Sequence, residues 1–457
     1  MFRLLFYFLV VFCISANCQE YGTGVLLDDS IFVKCSRAPA LLNRDLTNLP
    51  PKVSLRQYAP TPGNQGSLST CSGWAIAYSV RTMVSAIQNN WSRAEIDSNT
   101  FSPSYIYNQI RTRPGCSSGT SLVQGLELLK TDGVLKLKDF NYNCNLEIKD
   151  HDKTIASKYK IKEYRTITYG DTKNKTILVK KSLFEKNPVI IAINCPTSFY
   201  NAKDLWEPDS IEYTKNFGGH ALAVIGYDDE KYDGAFEILN SWGSNWGNNG
   251  YTWVKYYDFN HFCVWAGEEI PGPKVEEGNY GISGSVSFSL GTGLPMKLLQ
   301  NNNYFQMTEP YASGTLFNLT LSNNQPAYVY AIGSDLTNKC SVIFPFNSNI
   351  NPYLPYRQNN IALPGEGYNF QLDTTSGKTY FLFFYSPLMI NIDSVSKSIE
   401  SSKGNFFERV QNVMGDKLIS DKNINFKIEN SSEINFNSTT SSNKILMLLV
   451  EITHVDK

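Results

Sequence analysis

A cysteine, a histidine and an asparagine, far apart in the chain, have the types and surroundings to carry out nucleophilic chemistry. Cys71 follows the polar stretch Gly63-Asn64-Gln65-Gly66-Ser67-Leu68-Ser69-Thr70 and begins a pattern in which Ile76, Val80, Met83 and Ile87 fall on one helical face. Its sulfur is expected at a helix N-terminus, where unpaired backbone N–H groups and the positive end of the dipole favour thiolate over thiol. A buried or disulfide-bonded cysteine is the plainer reading, and position alone does not choose between them. A thiolate nucleophile needs a base. Of the four histidines, His151 sits in a charged run, His261 in an apolar segment and His454 near the C-terminus. His220 follows Gly218-Gly219 and opens the strand pattern Ala221 to Tyr227, which places an imidazole at the rim of a rigid sheet. Asn240 begins the block Asn240-Ser241-Trp242-Gly243-Ser244-Asn245-Trp246-Gly247-Asn248-Asn249-Gly250-Tyr251. A carboxamide can orient an imidazole by hydrogen bonding without adding a charge, and two indoles can keep water from that bond. Trp-Gly and Asn-Gly pairs are also ordinary turn sequences; the order and spacing of the three segments carry the reading.

The elements that position these residues belong to a chain of 457 residues, long enough for two or three domains. Hydrophobic residues make up 42% and aromatic residues 13%, so real cores are expected and wholesale disorder is excluded. Lys plus Arg is 41 against 42 for Asp plus Glu, which excludes capture of nucleic acid or an anionic membrane by bulk charge. Residues 1–18 read as a signal peptide: a short positive start at Arg3, an apolar run from Leu4 to Ser15, and small residues before Gln19. A spanning helix would need about 20 apolar residues, and Asn17, Gln19 and Glu20 end the run too early. A lipoprotein signal at Cys18 is the weaker alternative. A secreted, periplasmic or cell-surface location is expected, with no transmembrane segment. Removing Cys13 and Cys18 with the signal leaves seven cysteines, and an odd count in an oxidising compartment implies at least one free thiol.

The pattern changes at Ile270-Pro271-Gly272-Pro273-Lys274. Beyond it, Thr315 to Leu321, Ala327 to Ile332, Tyr368 to Leu372, Lys378 to Phe384 and Ile445 to Thr453 read as strands. Gly404 to Met414 reads as the one helix, and Asn301 to Asn303 and Asn435 to Asn443 as loops. His261 and Cys263 lack a second pair at zinc-site spacing, so no metal is expected.

Gln65, Cys71, His220 and Asn240, in that chain order and with the Asn-Ser-Trp-Gly block, resemble the papain family of cysteine peptidases. The resemblance covers Leu49 to Glu269 and implies an α+β, two-lobed fold: a helical lobe carrying Cys71, a β-barrel lobe carrying His220 and Asn240, and an active cleft between them. It implies Cys71 as nucleophile, His220 as general base and acid, Asn240 as its orienting partner, and an oxyanion hole made by the Gln65 side chain and the Cys71 N–H. Gly119 matches a glycine whose backbone pairs with extended substrate. Gly219 and Ala221 flank His220 without charge, which leans toward apolar substrate side chains. Trp242 would cover the Asn240–His220 bond and Trp246 would line the leaving-group side. Three departures stand out. The family's Gly-Ser-Cys-Trp is here Ser69-Thr70-Cys71-Ser72-Gly73-Trp74. Leu68 and Gln109 replace the usual partners of Cys116 and Cys144, which leaves those two to pair with each other. Residues 19–48 are too few for the family's long prosegment, so no family-type prodomain is expected to hold activity back, although this stretch could still pack on the surface or block the cleft. For Cys35, Cys195, Cys263 and Cys340 three pairings are open, with Cys195–Cys263 preferred because both fall in the barrel lobe.

The C-terminal half resembles a β-rich bacterial domain of unknown function found with secreted or surface peptidases. The expected organisation is therefore a signal at 1–18, a short segment at 19–48, a peptidase domain at 49–270 and a β-rich domain at 271–457. The expected activity is hydrolysis of peptide or protein substrates without a cofactor, with a cell surface, a carbohydrate or a protein as candidate partner of the C-terminal domain. The alternatives are an inactive papain-fold binding protein, or Cys-His acyl transfer to an amine as in transglutaminases.

Overall fold

The computed structural model describes residues 21–32, 49–170, 174–272, 281–302, 304–354, 361–365, 368–439 and 443–456. The expected signal peptide and Cys35 lie outside the described residues.

Cys71 opens a helix that runs through three abutting stretches: Cys71–Gly73, Trp74–Arg81 with π-helical hydrogen bonding, and Thr82–Asn89. It ends where Asn90 turns left-handed at φ 51°. Cys71, Ala75, Ile76, Ala77, Val80 and Met83 are all buried, so this helix is apolar nearly all round and runs through the core instead of lying on the surface. Gly73 permits the close crossing of the next helix, since a Cβ there would meet the Pro103 carbonyl oxygen at 2.3 Å. That next helix, Pro103–Ile110, starts on a Ser102 side chain that accepts the Tyr105 N–H, with proline in its first turn. Leu122–Thr131 starts likewise on Ser121. Cys116 and Cys144 form a disulfide, with a Cα–Cα distance of 5.6 Å.

The second lobe is an eight-stranded sheet. Its strands are β1 (Lys52–Ser54), β2 (Glu163–Tyr169), β3 (Val189–Asn194), β4 (Leu205–Trp206), β5 (Gly219–Asp228), β6 (Ala235–Leu239), β7 (Tyr251–Lys255) and β8 (Cys263–Ile270), in the order β2-β8-β3-β5-β6-β7-β4 with β1 on β5. Every residue of β5 is buried. Its register sets His220 opposite Ile193 of β3, and Ala223 opposite Leu239 of β6, so that Asn240 leaves β6 beside the start of β5. One core cluster joins the Cys71 helix to this sheet.

The C-terminal part is built of two further sheets. Ser283–Leu290, Leu316–Asn323 and Glu433–Ser438 belong to one, and Ala327–Ser334, Gly377–Ser386 and Leu446–Val455 to the other. Val286, Leu319 and Phe436 from the first meet Phe381, Phe383 and Val450 from the second in a common core. Leu382, Phe384 and Leu449 point the other way, onto the helices Ile392–Ser401 and Phe406–Met414. Burial on both faces explains the unbroken apolar run Tyr380 to Tyr385. Two expectations are corrected here. Ile392–Ser401 is a second helix, missed because its serine-rich sequence buries only Ile392, Ser396 and Ile399. The stretch read as a loop from Asn435 is strand as far as Ser438, with Ile434, Phe436 and Ser438 alternating inward.

Candidate active site

The two lobes meet at Cys71 and His220, both of which are fully buried. Cys71 carries a free thiol. Its sulfur is within hydrogen-bonding reach of the backbone N–H groups of Ala221, Ser72 and Val25 as well as its own. Ala221 follows His220, so the end of the helix and the start of β5 face each other directly. His220 Nε2 bonds Asn240 Oδ1 at 2.9 Å. The same oxygen accepts the Ser241 N–H at 2.7 Å, which fixes which end of the amide faces the ring. His220 Nδ1 is buried with no hydrogen-bond partner among the described residues. With Nε2 donating to the amide oxygen, neutral imidazole leaves its lone pair on Nδ1, where a thiol proton could be taken. Trp242 stacks on the imidazole, with ring centres 4.5 Å apart and planes at 21°, and shields the bond to Asn240 from water.

The loop before Cys71 is tied across the cleft. Gln65 N–H donates to the Ser241 carbonyl at 2.8 Å, and Gly243 N–H to the Gly63 carbonyl at 2.8 Å. Ser241 Oγ donates to Gln65 Oε1 at 2.6 Å, which turns Gln65 Nε2 toward the cleft. The displaced Trp74 packs edge-on against Tyr142 at 4.9 Å. Gly63 makes room for it, since a Cβ would meet the indole at 2.0 Å.

Residues 21–28 occupy the cleft. The Gly22 carbonyl accepts from Gln65 Nε2 at 3.0 Å and from Trp242 Nε1 at 3.0 Å. Gly22 N–H donates to the Gly66 carbonyl at 2.9 Å. Gly24 and Val25 N–H both reach the Gly219 carbonyl at 3.0 Å. Thr120 N–H donates to the Gly24 carbonyl at 2.8 Å, and Leu26 N–H to the Thr120 carbonyl at 3.0 Å. The two glycines are what let the segment lie so close. A Cβ on Gly22 would meet the Leu68 carbonyl oxygen at 2.1 Å, and one on Gly24 would meet Ser69 atoms at 2.7 Å. Water is thereby excluded from both Cys71 and His220. Burial pushes the Cys71 thiol up to about 11. It pulls His220 down to about 4, against a smaller upward pull from Asn240. In this covered state sulfur and ring are both neutral at pH 7.

The structure brings together Gln65, Cys71, His220, Asn240, Gly219 and Trp242. Gly119 lies beside them against Leu26, but the backbone pairing is made by its neighbour Thr120. Trp246 is 2% exposed. It packs edge-on to Trp242 at 5.5 Å and donates to the Phe199 carbonyl, a position behind the cleft wall. The preferred Cys195–Cys263 bridge is corrected, because both are unpaired thiols. Strand register sets Ile193, not Cys195, opposite Cys263, whose sulfur turns to the Trp265 carbonyl instead. Cys340 is unpaired as well. Sequence reading missed Thr120, Ser241 and Tyr200. Of these only Ser241 carried a signal, its place inside the Asn-Ser-Trp-Gly block. Among the described residues no group of three or more His, Cys, Asp or Glu is placed to hold a metal ion.

Residues 50–268 match the papain family cysteine protease model, and residues 310–388 match that of a domain of unknown function, DUF4384. A cysteine protease of Blomia tropicalis is 23% identical over 252 residues, covering 51% of this chain and 71% of its own. An uncharacterized peptidase C1-like protein of Acanthamoeba polyphaga mimivirus is 26% identical over 237 residues, covering 46% and 72%. Among solved structures, xylellain, a cysteine protease from Xylella fastidiosa, aligns with a TM-score of 0.47 at 22% identity, covering 56% of this chain and 97% of that one. By the family match, residues 50–268 form a papain-family domain of the cysteine-type peptidase class. Its substrates are accordingly peptides or proteins.

Proposed function

We propose that the protein is a secreted cysteine peptidase kept latent by residues 21–28, with Cys71, His220 and Asn240 as its catalytic residues. Once the segment leaves, water reaches the cleft, the thiol and the imidazole return toward their ordinary acidities, and His220 Nδ1 can take the Cys71 proton. The thiolate attacks the peptide carbonyl, and the oxyanion is held by Gln65 Nε2 and the Cys71 N–H at the start of the helix. His220 then protonates the departing amine, and water, deprotonated by the same ring, hydrolyses the thioester. The observation that carries this reading is the His220–Asn240 bond, which leaves a buried, unpartnered Nδ1 on the residue before the Ala221 N–H that faces the sulfur. The Gly22 carbonyl on Gln65 Nε2 stands where a substrate carbonyl would be polarised. Replacing Cys71 by Ala is expected to abolish cleavage of a mixed peptide library while leaving the circular-dichroism spectrum unchanged. Retained turnover would reject the assignment.

A further inference from the structure

We propose that the C-terminal part binds a neutral carbohydrate in a pocket between the start of the helix Phe406–Met414 and the sheet beneath it. The pocket has a volume of about 370 Å3, and Tyr304, Tyr380, Asn405, Phe406, Phe407 and Glu451 are among its lining residues. It arises because the two helices sit toward one edge of the sheet. Ile392–Ser401 is tied to the edge strand Cys340–Phe344, where the Cys340 N–H donates to Glu400 at 2.9 Å. Phe406–Met414 packs beside that helix. Toward the other edge, Tyr304–Met307 pairs with Leu446–Val455, and Glu451 stands between Gln306 on one neighbouring strand and Tyr380 on the other. There the first turn of Phe406–Met414 walls a hollow on the sheet face. Of the lining residues only Tyr380 falls within 310–388, so the pocket is assembled mainly outside the stretch that matches DUF4384.

Its chemistry selects the guest. Glu451 is only 8% exposed, and Lys378 Nζ donates to its Oε1 at 2.6 Å and to Thr453 Oγ1 at 3.2 Å. That ion pair cancels the charge a cationic guest would need, and no lysine or arginine is among the described lining residues to attract an anion. What remains are groups suited to hydroxyls. The Tyr304 hydroxyl accepts from Asn301 Nδ2 at 2.9 Å and keeps its own proton to donate. Asn405 Oδ1 caps the helix by accepting the Glu408 N–H at 3.0 Å, which leaves Nδ2 as a donor. The Tyr380 hydroxyl lies beside the Glu451 carboxylate. Each sugar hydroxyl both donates and accepts, so it can satisfy such a mixed set, whereas a purely apolar guest would bury these groups unpaired. The rings supply the other half of the match. Phe406 stacks on Tyr380, with centres 5.1 Å apart and planes at 22°, and the Arg409 guanidinium lies over Phe406 at 5.3 Å, so these rings are fixed before anything binds. Fixed aromatic surface beside convergent hydrogen-bonding groups fits the C–H face and hydroxyl edge of a sugar ring.

The test uses the full chain carrying Cys71→Ala, so that peptide hydrolysis plays no part. Isothermal titration with neutral hexasaccharides of glucose, mannose, galactose and N-acetylglucosamine is expected to show binding to at least one of them. Its affinity should stay the same between about 0.05 and 0.5 M salt, since no net charge is engaged. Tyr304→Ala and Phe407→Ala are each expected to weaken that binding by about tenfold, the size of one aromatic contact. Tyr304→Phe keeps the ring and is expected to lose only about threefold, the size of one hydrogen bond. Thermal unfolding checks that each variant is folded, and where Tyr304→Ala is not, Tyr304→Phe and Phe407→Ala carry the comparison. No binding across the panel, binding that these substitutions leave unchanged, or affinity that falls with salt would overturn the proposal. So would capture of casein peptides that the same substitutions abolish, with no sugar bound.

Discussion

On the Thr120 side of Cys71, residues 24–26 are held by backbone groups: three N–H donors and one carbonyl of the segment pair with the main chain of Thr120 and Gly219. On the Trp242 side, Tyr21 is held by ring stacking against an indole that is itself fixed between His220 and Trp246. Main-chain pairing is blind to side-chain identity, whereas ring stacking is not. One side of the cleft therefore holds the segment by its backbone, and the other by a side chain. The same division explains the composition of the segment. Glycine is needed where the segment presses against the main chain of 68–69, at positions 22 and 24, and an aromatic residue where an indole face is covered, at position 21.

Breaking the polarising contact between the two sides should have the largest effect. Gln65→Ala, which in the proposed mechanism removes a donor to the developing oxyanion, is expected to lower kcat by about 100 to 1000 fold in the activated enzyme. A stopped assay on an aromatic and an aliphatic peptide checks it, and both should fall together. Next comes the close approach itself. Gly22→Ala places a Cβ 2.1 Å from the Leu68 carbonyl oxygen. Overpacking of about 1 to 3 kcal/mol should raise the peptidase activity of the unprocessed chain by about tenfold or more. Acid should act more gently. His220 is pulled from 6.5 to about 4 in the covered state, so closure is stabilised by the neutral ring above pH 6.5 and loses that contribution as the pH falls toward 4. Cys71 has the opposite sense: its raised value weakens closure only as the pH climbs from 9 toward 11. Opening, read as susceptibility of residues 21–28 to an added protease, is expected to increase as the pH falls from 6.5 to 4 and to be flat from pH 6.5 to pH 9.

The site was legible where chemistry needs particular residue types next to particular local structure. Cys71 at the head of an apolar helix, His220 opening a strand and the Asn240 block each carry a local signature, and the sheet register joins them. The Cys116–Cys144 bridge followed from the two cysteines left without their usual partners. Residues 21–28 had no such signature. Tyr21-Gly22-Thr23-Gly24-Val25 has neither helical nor strand period, and its meaning comes from contacts with residues about 40 to 220 positions away. The preference for Cys195–Cys263 failed for a related reason: sharing a lobe does not set register, and β3 places Ile193 at the paired position. In the C-terminal part the apolar runs within Ala327–Ser334, Gly377–Ser386 and Leu446–Val455 showed as strands, whereas Ser283–Leu290, whose outward positions are serine, did not. Glu433–Ser438 was lost in the same way, with asparagine at the outward positions 435 and 437.

The proposed function requires a reactive Cys71 under residues 21–28, beside an imidazole held by Asn240. Its most direct test is the rate at which iodoacetamide labels Cys71, followed by peptide mass mapping, at pH 7 in the intact chain and after proteolytic removal of those residues. Slow labelling in the first and fast labelling in the second, with the fast rate lost in His220→Ala, is the predicted result. Equal rates in the two forms, or fast labelling that ignores His220, would contradict it.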